Sequence, residues 1–531
     1  MFTTAFVLSV AAFCPAETPL PSPGEMAASR LDVWSEAAIR VPGGPSYEFY
    51  RGLLPPLRYV NTAFKHYPIV LSAPQSAVKA RCASNGSGIN LKADKPPMWK
   101  ETGTPVAFFI GKDAVDFGAD AENLFGPVYA LSPRWIDKYP PKTGQYWLPI
   151  VEMMNRTEKR WCEQFAFAPT RGVLAEHGAV CVRFLPHLSD GEIRARIGSG
   201  TKYIADTLSV RDSNANVVVM FDSSWIWSEK KAELTAGIPK DKTADLIVFT
   251  KPLKQPLKEL PSFEDERQAL LETWCDVMLK RSKTRLVIPE SVVQNAWQSL
   301  VVGNFILAVG DRMNYSAGNA YDHLYEAECG DALRSLLFLG HVVDAKAMLG
   351  PLLNFDRKAT RYHVAGHKLQ LLAHYYWVTR DKETIEKTRP KWEPVTKFIR
   401  DSRKTENGLL PKDNYAGDVS TQIFSLNSNA NCWRGLRDMA AVLEETGDKA
   451  LAAELRKEAE DFRTVILNAV TRSIRMESKP PFVPLSLLGD EPAHDPITAT
   501  RMGSYYNLMI PYVLGSGILG DERDGFIIDY L

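Results

Sequence analysis

The pattern of apolar and polar positions changes character near residue 285 of this 531-residue chain. Before that point, short apolar runs are separated by Gly, Pro, Asn and Asp, as in "AVCVRFLPHL", "NVVVMFDSSW" and "DLIVFT". Strand-sized runs bounded by turn residues, with few helical patterns between them, are typical of an all-β domain. We therefore predict a β-sandwich over residues 30–255.

After residue 288 the apolar positions recur at helical spacing, as in "DALRSLLFLGH" and "DKALAAELRKEAEDFRTVILNAVTRSI". About nine such helices follow one another to the end of the chain. Long loops rich in Gly, Asn, Tyr and Asp alternate with tight turns between them. This alternation indicates a toroid of antiparallel helical hairpins over residues 288–531. The predicted fold class is therefore α+β, with an N-terminal β-sandwich followed by the toroid.

Residues 256–287 connect the two parts and contain one more predicted helix. A Pro-punctuated stretch precedes "FEDERQALLETWCDVMLKRSK", and Ser262 can cap the start of that helix. Acidic residues fill its first turn and basic residues its last, which suits the helix dipole. We expect a linker that carries a helix.

The N-terminus predicts export. Residues 5–13 form a short apolar run that is followed by small residues and a Pro-rich tract, which is typical of a signal peptide over residues 1–16. A secreted or periplasmic location follows from it, and a cytoplasmic one if the segment is not a signal. No later window offers ~18 uninterrupted apolar residues, so no membrane-spanning helix is predicted.

Charge and cysteine usage exclude several classes of function. Lys and Arg together number 63, as do Asp and Glu, so the formal net charge is zero. This balance argues against nucleic acid or a membrane surface as a partner. None of the seven Cys forms a CxxC pair, which excludes a zinc ribbon and a thioredoxin motif and leaves disulfide pairing open.

The segment "NAYDHLYEAECGDA" crowds four carboxylates into ten residues without a Lys or Arg among them. Mutual repulsion should raise the pKa of some of these groups, as a general acid requires, and several carboxylates can also bind the hydroxyls of a polyol. The alternative is helix capping and solvated loop charge, and Asp331 suits a cap. The candidate substrate-binding residues here are Tyr321, Asp322, Tyr325, Glu326 and Glu328.

A second polar stretch, "GLLPKDNYAGDVSTQIFSLNSNANCWRGLRDM", follows at residues 408–439. Asn, Asp, Tyr and Trp together are typical of a sugar site, because planar polar groups bind hydroxyls and an aromatic face packs on a pyranose. Capping and Asx turns explain part of this composition without a ligand. The candidates for substrate binding are Tyr415, Asn429 and Trp433.

His363 and His367 are four residues apart on a predicted helix, which is a spacing that can bind a metal ion. An HExxH pattern and an evident third ligand are missing, so we predict no metal site and keep His363 as a wall of the substrate site. Walker, dinucleotide-binding and GxSxG motifs do not occur either, and no cofactor is predicted.

These stretches resemble the six-hairpin glycosidases, such as glucoamylases, processing α-glucosidases and α-L-rhamnosidases, which have an (α/α)6 barrel behind a β-sandwich. The resemblance rests on "IPESVVQNAWQSLVVGNFILAVG", "YDHLYEAECGDALRSLLFLGHVVDAKAMLGPLL", "GLLPKDNYAGD" and "NSNANCWRGLRDMA". It implies a carbohydrate substrate and inverting hydrolysis by two carboxyl groups ~6.5–9.5 Å apart. Asp418 is the first choice for the general acid and Asp413 the second. A complete barrel has more helices than this chain offers, so we expect either a C-terminally truncated barrel, whose base would lie beyond residue 531, or an open toroid.

Two other functions compete with hydrolysis. A polysaccharide lyase also joins a helical toroid to a β-sandwich, but it normally places the toroid first and surrounds a uronate with Tyr, His and Arg. The acid-rich loop of this chain should repel a uronate. A non-catalytic carbohydrate-binding or scaffold protein is the other alternative.

Overall fold

The computed structural model describes residues 68–83, 85–91, 103–125, 147–157, 160–198, 202–288, 291–319, 321–495, 497 and 500–531. The predicted signal peptide lies outside these residues, as does the start of the predicted sandwich at residue 30. The segment 68–531 forms one compact unit. In the part of the chain that the structure describes, no helix combines the length and apolarity needed to cross a membrane.

Antiparallel strands fill the first half of this unit. In chain order they are Pro68–Leu71 (β1), Ala80–Ala83 (β2), Gly88–Ile89 (β3), Val106–Ile110 (β4), Val115–Asp116 (β5), Ala121–Phe125 (β6), Ile150–Arg156 (β7), Trp161–Phe167 (β8), Ala179–Pro186 (β9), Gly191–Ile197 (β10), Ile204–Ala205 (β11), Ser209–Arg211 (β12), Val217–Phe221 (β13), Trp225–Ser228 (β14), Glu233–Ile238 (β15) and Ala244–Leu253 (β16). One sheet has the order β1-β2-β3-β4-β10-β15-β14, with β5 paired to β4, and the second has the order β11-β12-β13-β16-β9-β8-β7-β6.

The two sheets pack face to face around a shared apolar core. Phe108 on β4 and Ile193 on β10 enter it from the first sheet, and Val182 and Phe184 on β9 enter it from the second. The rings of Phe108 and Phe184 meet edge to face, with centroids 5.2 Å apart. This alternation of inward-facing side chains from two antiparallel sheets makes the first half a β-sandwich.

Helices form most of the second half. In chain order the helices are Gly172–Glu176 (α1), Phe263–Cys275 (α2), Ser291–Leu307 (α3), Glu326–Phe338 (α4), Val342–Asn354 (α5), Arg361–Thr379 (α6), Lys382–Lys387 (α7), Arg389–Ser402 (α8), Leu426–Thr446 (α9), Lys449–Ser473 (α10), Arg501–Ser516 (α11) and Asp521–Tyr530 (α12). Helix α2 continues as a π-helical turn over Asp276–Arg281. A small sheet of Asp413–Ala416 (β17), Val419–Ser425 (β18) and Ser486–Leu487 (β19) lies among the later helices.

The outer face of the second sheet packs on helix α2. Phe167 on β8 meets Phe263 edge to face at 4.9 Å, and Trp274 lies in the same apolar core. Ser262 caps the helix by accepting a hydrogen bond from the amide of Asp265. Because the second sheet is covered on both faces, its strand β13 is apolar and buried at every position. The limits 30–255, 256–287 and 288–531 remain predictions, since this segment joins both halves in one compact unit.

In the described residues, the helices after α3 form four successive hairpins: α4–α5, α6–α8, α9–α10 and α11–α12. Helix α6 packs between α4 and α9, and α9 also packs against α11. The predicted α+β fold class is confirmed. A β-sandwich followed by consecutive helical hairpins is also the architecture that the resemblance to six-hairpin glycosidases implies.

The hairpins place tight turns at one end and longer connections at the other. Gly340, Gly447 and Gly517 end helices α4, α9 and α11 with φ values of 79°, 111° and 71°, where a side chain would be strained. The longer connections all lead into the first helix of a hairpin. Since neighbouring hairpins run the same way, these connections gather at one end of the helical half.

Helices α6 and α9 cross at two glycines. A Cβ atom on Gly366 would lie 2.4 Å from the carbonyl carbon of Asn431, and one on Gly435 would lie 2.8 Å from the carbonyl oxygen of Gly366. The two backbones therefore approach more closely than any other side chain would allow. This contact brings the polar first turns of α9 against α6.

Candidate active site

A cavity of about 150 Å³ opens at the end of the helical half where the longer connections gather. Residues of three hairpins, of the connections that precede them and of the turn between β17 and β18 line it. The polar lining residues are Tyr315, Tyr321, Tyr325, Glu326, Glu328, Arg357, Thr360, His363, Asp418, Tyr505 and Tyr512. The cavity therefore combines carboxyl groups, phenols and one guanidinium in a concave site, which is the composition of a ligand pocket.

Three tyrosines on the connection before α4 form one wall. The ring of Tyr315 meets Tyr325 edge to face at 5.4 Å and Tyr321 at 6.1 Å. The guanidinium of Arg357 lies 5.3 Å from the ring centroid of Tyr325. Partial desolvation raises the pKa of the Tyr325 hydroxyl. Aromatic faces beside polar tips suit the two sides of a sugar ring.

Asp418 lies in the turn between β17 and β18, at the mouth of the cavity. Its carboxylate accepts a hydrogen bond of 2.7 Å from the hydroxyl of Tyr505, and one oxygen lies 3.9 Å from the guanidinium of Arg357. Its backbone carbonyl accepts a second bond, from Arg501, at 2.7 Å. The side chain remains 62% exposed, so Asp418 is a solvated carboxylate held in place from two sides.

Glu326, the first residue of α4, has the opposite surroundings. Its side chain is 1% exposed, and neither carboxyl oxygen has a hydrogen-bond partner among the described residues. The Nδ1 atom of His367 lies 3.5 Å from Oε1. Burial raises the pKa of Glu326 to about 8, although His363, Arg334 and Lys368 oppose the shift. A raised pKa in the acidic segment therefore occurs at Glu326, with burial rather than mutual repulsion as its largest cause, and this carboxyl group is mostly protonated at neutral pH.

The cavity brings together six of the residues that the sequence singled out: Tyr321, Tyr325, Glu326, Glu328, His363 and Asp418. The other five, Asp322, Asp413, Tyr415, Asn429 and Trp433, lie outside its lining.

Local hydrogen bonds and packing hold those five residues. Asp322 accepts from Asn314 at 2.8 Å, and Asp413 is buried and accepts from Ser428 at 3.3 Å; burial raises the pKa of Asp413 to about 6. Tyr415 donates to Glu491 at 2.6 Å. Asn429, in the first turn of α9, forms hydrogen bonds with the backbone of Leu410 and Ser425. Trp433 packs in the apolar core, with the guanidinium of Arg437 over its ring.

Several residues that line the cavity were not predicted from the sequence. Tyr505, Leu508 and Tyr512 lie on one face of α11, and their spacing of three and four residues was a usable signal. Arg357 had no comparable signal, because its place beside Tyr325 and Asp418 depends on how the hairpins pack.

Glu326, His363 and His367 form a cluster of the residue types that bind metal ions. One ligand atom from each lies within 4.8 Å of the others, and all three residues are buried. Glu326 thus supplies the third group that was not evident beside the His pair in the sequence. Burial lowers the pKa of both His363 and His367 to about 3, so both rings are neutral.

Comparison with known proteins finds similarity in fold alone. No protein-family model matches the sequence, and no curated protein matches it either. A bacterial glucoamylase complexed with acarbose superposes on 77% of this chain and 68% of its own, with 9% identity and a TM-score of 0.48. A family GH92 alpha-mannosidase from Bacteroides thetaiotaomicron covers 75% of this chain and 72% of its own, with 9% identity and a TM-score of 0.27. At these TM-scores the superpositions carry no information on residue roles.

Proposed function

We propose that this protein binds a carbohydrate in the cavity and hydrolyses a glycosidic bond by acid/base catalysis. The observation that carries the proposal is the pairing of two unlike carboxyl groups in one tyrosine-lined cavity. Glu326 is buried and Asp418 is exposed, yet both line the same space. Two carboxyl groups in one cavity, one buried and one solvated, are what an acid/base hydrolase needs.

The surroundings support a division of roles that differs from the one expected from the resemblance. Glu326 keeps its proton at neutral pH because its burial disfavours the carboxylate, so it can protonate the leaving oxygen. Asp418 is solvated and oriented by Tyr505, so it can accept a proton from an attacking water. Inversion requires that a water fits between the sugar and this base. Asp413, the second choice from the sequence, is buried behind the lining.

The other polar lining residues would hold the sugar. The tyrosine wall offers faces for its C–H groups, while Glu328 and Arg357 offer an acceptor and a donor for its hydroxyls.

A polysaccharide lyase is the second candidate, and one observation favours it. The guanidinium of Arg357 lies beside the Tyr325 ring in the cavity, where it could pair with a uronate while a phenol exchanges the proton. Glu328 and Asp418 line the same cavity and oppose a uronate. A third candidate, binding without catalysis, is favoured by the very low exposure of the Glu326 carboxyl group.

A panel of neutral and uronate-containing oligosaccharides and polysaccharides distinguishes the three. Hydrolysis releases reducing ends, a lyase forms an unsaturated ultraviolet-absorbing product, and a binding protein gives heat of binding with neither. With the substrate identified, Glu326→Gln and Asp418→Asn should each lower turnover by ~10²-fold or more.

Two control variants test whether the loss of turnover is specific to Glu326 and Asp418. Asp413→Asn removes a buried carboxyl group outside the cavity lining, and Asp401→Asn removes an exposed one that pairs with Lys404. Both should keep full turnover. Loss of activity in Asp413→Asn together with full activity in Glu326→Gln would refute the proposed acid and support Asp413, the second choice from the resemblance.

A further inference from the structure

The buried cluster of Glu326, His363 and His367 has two chemical interpretations. Two imidazoles and one carboxylate can bind a divalent transition metal such as Zn²⁺. The same groups can instead hold protons and serve the acid that the proposed function requires. The position of the proton on His363 decides between them, because a neutral imidazole binds a metal only through the nitrogen that lacks a hydrogen.

We infer that a chain of three amides, Gln370, Asn431 and Asn427, fixes His363 as the tautomer protonated on Nε2. In this form the remaining N–H group of His363 is the donor that would position Glu326 in the reacting enzyme, and the cluster does not take up a divalent metal. The role toward Glu326 rests on the proposed function, whereas the tautomer rests on hydrogen bonds alone.

The chain starts at a backbone carbonyl that fixes its direction. The Nε2 atom of Gln370 donates to the carbonyl oxygen of Asn431 and to the side-chain oxygen of the same residue, both at 3.0 Å. A carbonyl only accepts, so the nitrogen of the Gln370 amide must face Asn431. The side-chain oxygen of Asn431 therefore points toward Gln370, and its Nδ2 points the other way.

A second carbonyl repeats the argument one turn earlier on α9. The Nδ2 atom of Asn431 donates to the carbonyl oxygen of Asn427 at 2.9 Å and to its Oδ1 atom at 2.7 Å. The Oδ1 atom of Asn427 is thus an acceptor, and its Nδ2 lies 2.9 Å from Nδ1 of His363. Reversing any one amide would set two donors or two acceptors against each other in a buried site, at a cost of ~1–3 kcal/mol.

The Nδ1 atom of His363 therefore accepts a hydrogen bond from Nδ2 of Asn427. It faces Nδ2 of Asn427 and, at 3.3 Å, Nδ2 of Asn431. A neutral imidazole that accepts through Nδ1 carries its proton on Nε2. A doubly protonated ring would set its Nδ1–H against two amide nitrogens, so the amides also oppose the cation. Burial acts in the same direction by lowering the pKa of the ring.

Both consequences follow from this tautomer. With Nδ1 occupied by the amides, Nε2–H is the remaining donor of the ring, and Glu326 is a carboxyl group of the same cluster whose oxygens have no hydrogen-bond partner among the described residues. With Nε2 protonated and Nδ1 occupied, His363 has no lone pair for a metal ion. Glu326 and His367 alone are fewer than the three protein ligands of a typical zinc site.

Nitrogen-15 NMR tests the tautomer directly. The protein is labelled with ¹⁵N-histidine, and the His363 signals are assigned by their loss in His363→Gln. We expect, at neutral pH, a proton-bearing Nε2 and an unprotonated Nδ1. A proton on Nδ1, with or without one on Nε2, overturns the inference.

Asn427→Asp tests the cause. A carboxylate can only accept, so the variant should move the ring proton to Nδ1 and leave Nε2 with a lone pair beside Glu326 and His367. The matched control is Asn429→Asp, a buried Asn on the same helix whose amide binds the backbone of Ser425 and Leu410. The control should keep the wild-type tautomer. An unmoved proton in Asn427→Asp overturns the inference.

Equilibrium dialysis against Zn²⁺ alone tests the metal. The wild-type protein should retain no Zn²⁺ at this site, and Asn427→Asp should retain about one equivalent. Retention of one equivalent by the wild type, lost in His363→Gln, would identify the cluster as a metal centre instead.

The role toward Glu326 has a separate readout. On a hydrolysed glycan, His363→Gln should lower kcat about tenfold or more with little change in KM, because it misplaces the acid without removing sugar contacts. An unchanged kcat overturns the positioning role. If Glu326→Gln hydrolyses glycans normally while NMR still finds the Nε2–H tautomer, the proposed function fails and the tautomer stands.

Discussion

Glu326 and Glu491 are both buried among the helices of the second half, and their surroundings are opposite. Glu491 accepts hydrogen bonds from Tyr415 at 2.6 Å, from His494 at 2.9 Å and from the amide of Ser486 at 2.7 Å. Glu326 has no hydrogen-bond partner among the described residues. A buried carboxyl group without partners costs free energy that Glu491 recovers through its bonds. Glu491 therefore stabilises the fold, whereas the carboxyl group of Glu326 remains available for chemistry.

The hydrogen bonds of Glu491 stabilise the small sheet next to the mouth of the cavity. Tyr415 belongs to β17 and Ser486 to β19, and both strands pair with β18 in the small sheet. The turn between β17 and β18 carries Asp418. One buried acid therefore fixes the sheet that presents the exposed carboxylate of the site.

The largest expected effect comes from removing the satisfied acid. Glu491→Ala leaves three buried donors without their acceptor and should lower the free energy of unfolding by ~4 kcal/mol. Urea denaturation measures it, with the exposed Glu406→Ala as the control that changes stability by less than ~0.5 kcal/mol. An unchanged urea midpoint in Glu491→Ala would contradict the structural role.

Glu326 should make the free energy of unfolding depend on pH. Because the pKa of Glu326 rises from 4.5 to about 8 on folding, the folded state binds the extra proton between these values. Stability therefore falls as pH rises through this window, by ~4 kcal/mol. Glu326→Gln lacks the titrating group, so the gap between its stability and that of the wild type should widen from pH ~5 to pH ~8.5. Parallel curves for the two proteins would show that Glu326 titrates normally.

Gly366 lies at the crossing of α6 and α9, against the backbone of Asn431 in the amide chain. Gly366→Ala places a Cβ against the backbone of Asn431 and should cost ~2 kcal/mol of stability while displacing the amide chain. Gly350→Ala in α5, where a Cβ meets no atom within 4 Å, should instead be neutral or stabilising. Thermal melts of the two variants compare them, and equal melting temperatures would exclude a close crossing.

The smallest expected effect concerns the exposed carboxylate. Tyr505→Phe removes one hydrogen bond of 2.7 Å to Asp418 and leaves the ring in place. Turnover on the identified glycan should fall about fivefold, which corresponds to ~1 kcal/mol for one such bond. Tyr315→Phe, whose ring lines the same cavity wall, is a comparison for the loss of a phenol elsewhere. A fall of a hundredfold in Tyr505→Phe would mean that the phenol itself takes part in the reaction.

Much of the architecture was accessible from periodicity. The change from strand-sized runs to helical spacing predicts both halves, and loops that lead into successive hairpins must meet at one end. That rule alone groups Glu328 and Asp418, which both line the cavity. Local patterns suffice here because the hairpins repeat.

Burial of single polar groups was not accessible from the sequence. Asn429 and Tyr415 have the composition of a sugar site, yet they bind the backbone of Ser425 and the carboxylate of Glu491. Crowding in the acidic segment predicts a carboxyl group with a raised pKa, but neither which one nor that burial is the main cause. The choice of Glu326 over Asp418 depends on residues of α6 that are distant in sequence and reach the cluster only through helix packing.

The separation of tight turns from longer connections has an evolutionary consequence. The register of the hairpins depends on the end that carries Gly340, Gly447 and Gly517, while every wall of the cavity comes from the other end. Insertions and substitutions in the connections can thus alter which ligand is admitted without disturbing the helix crossings. Selection can act on specificity at one end of this scaffold while stability is inherited at the other.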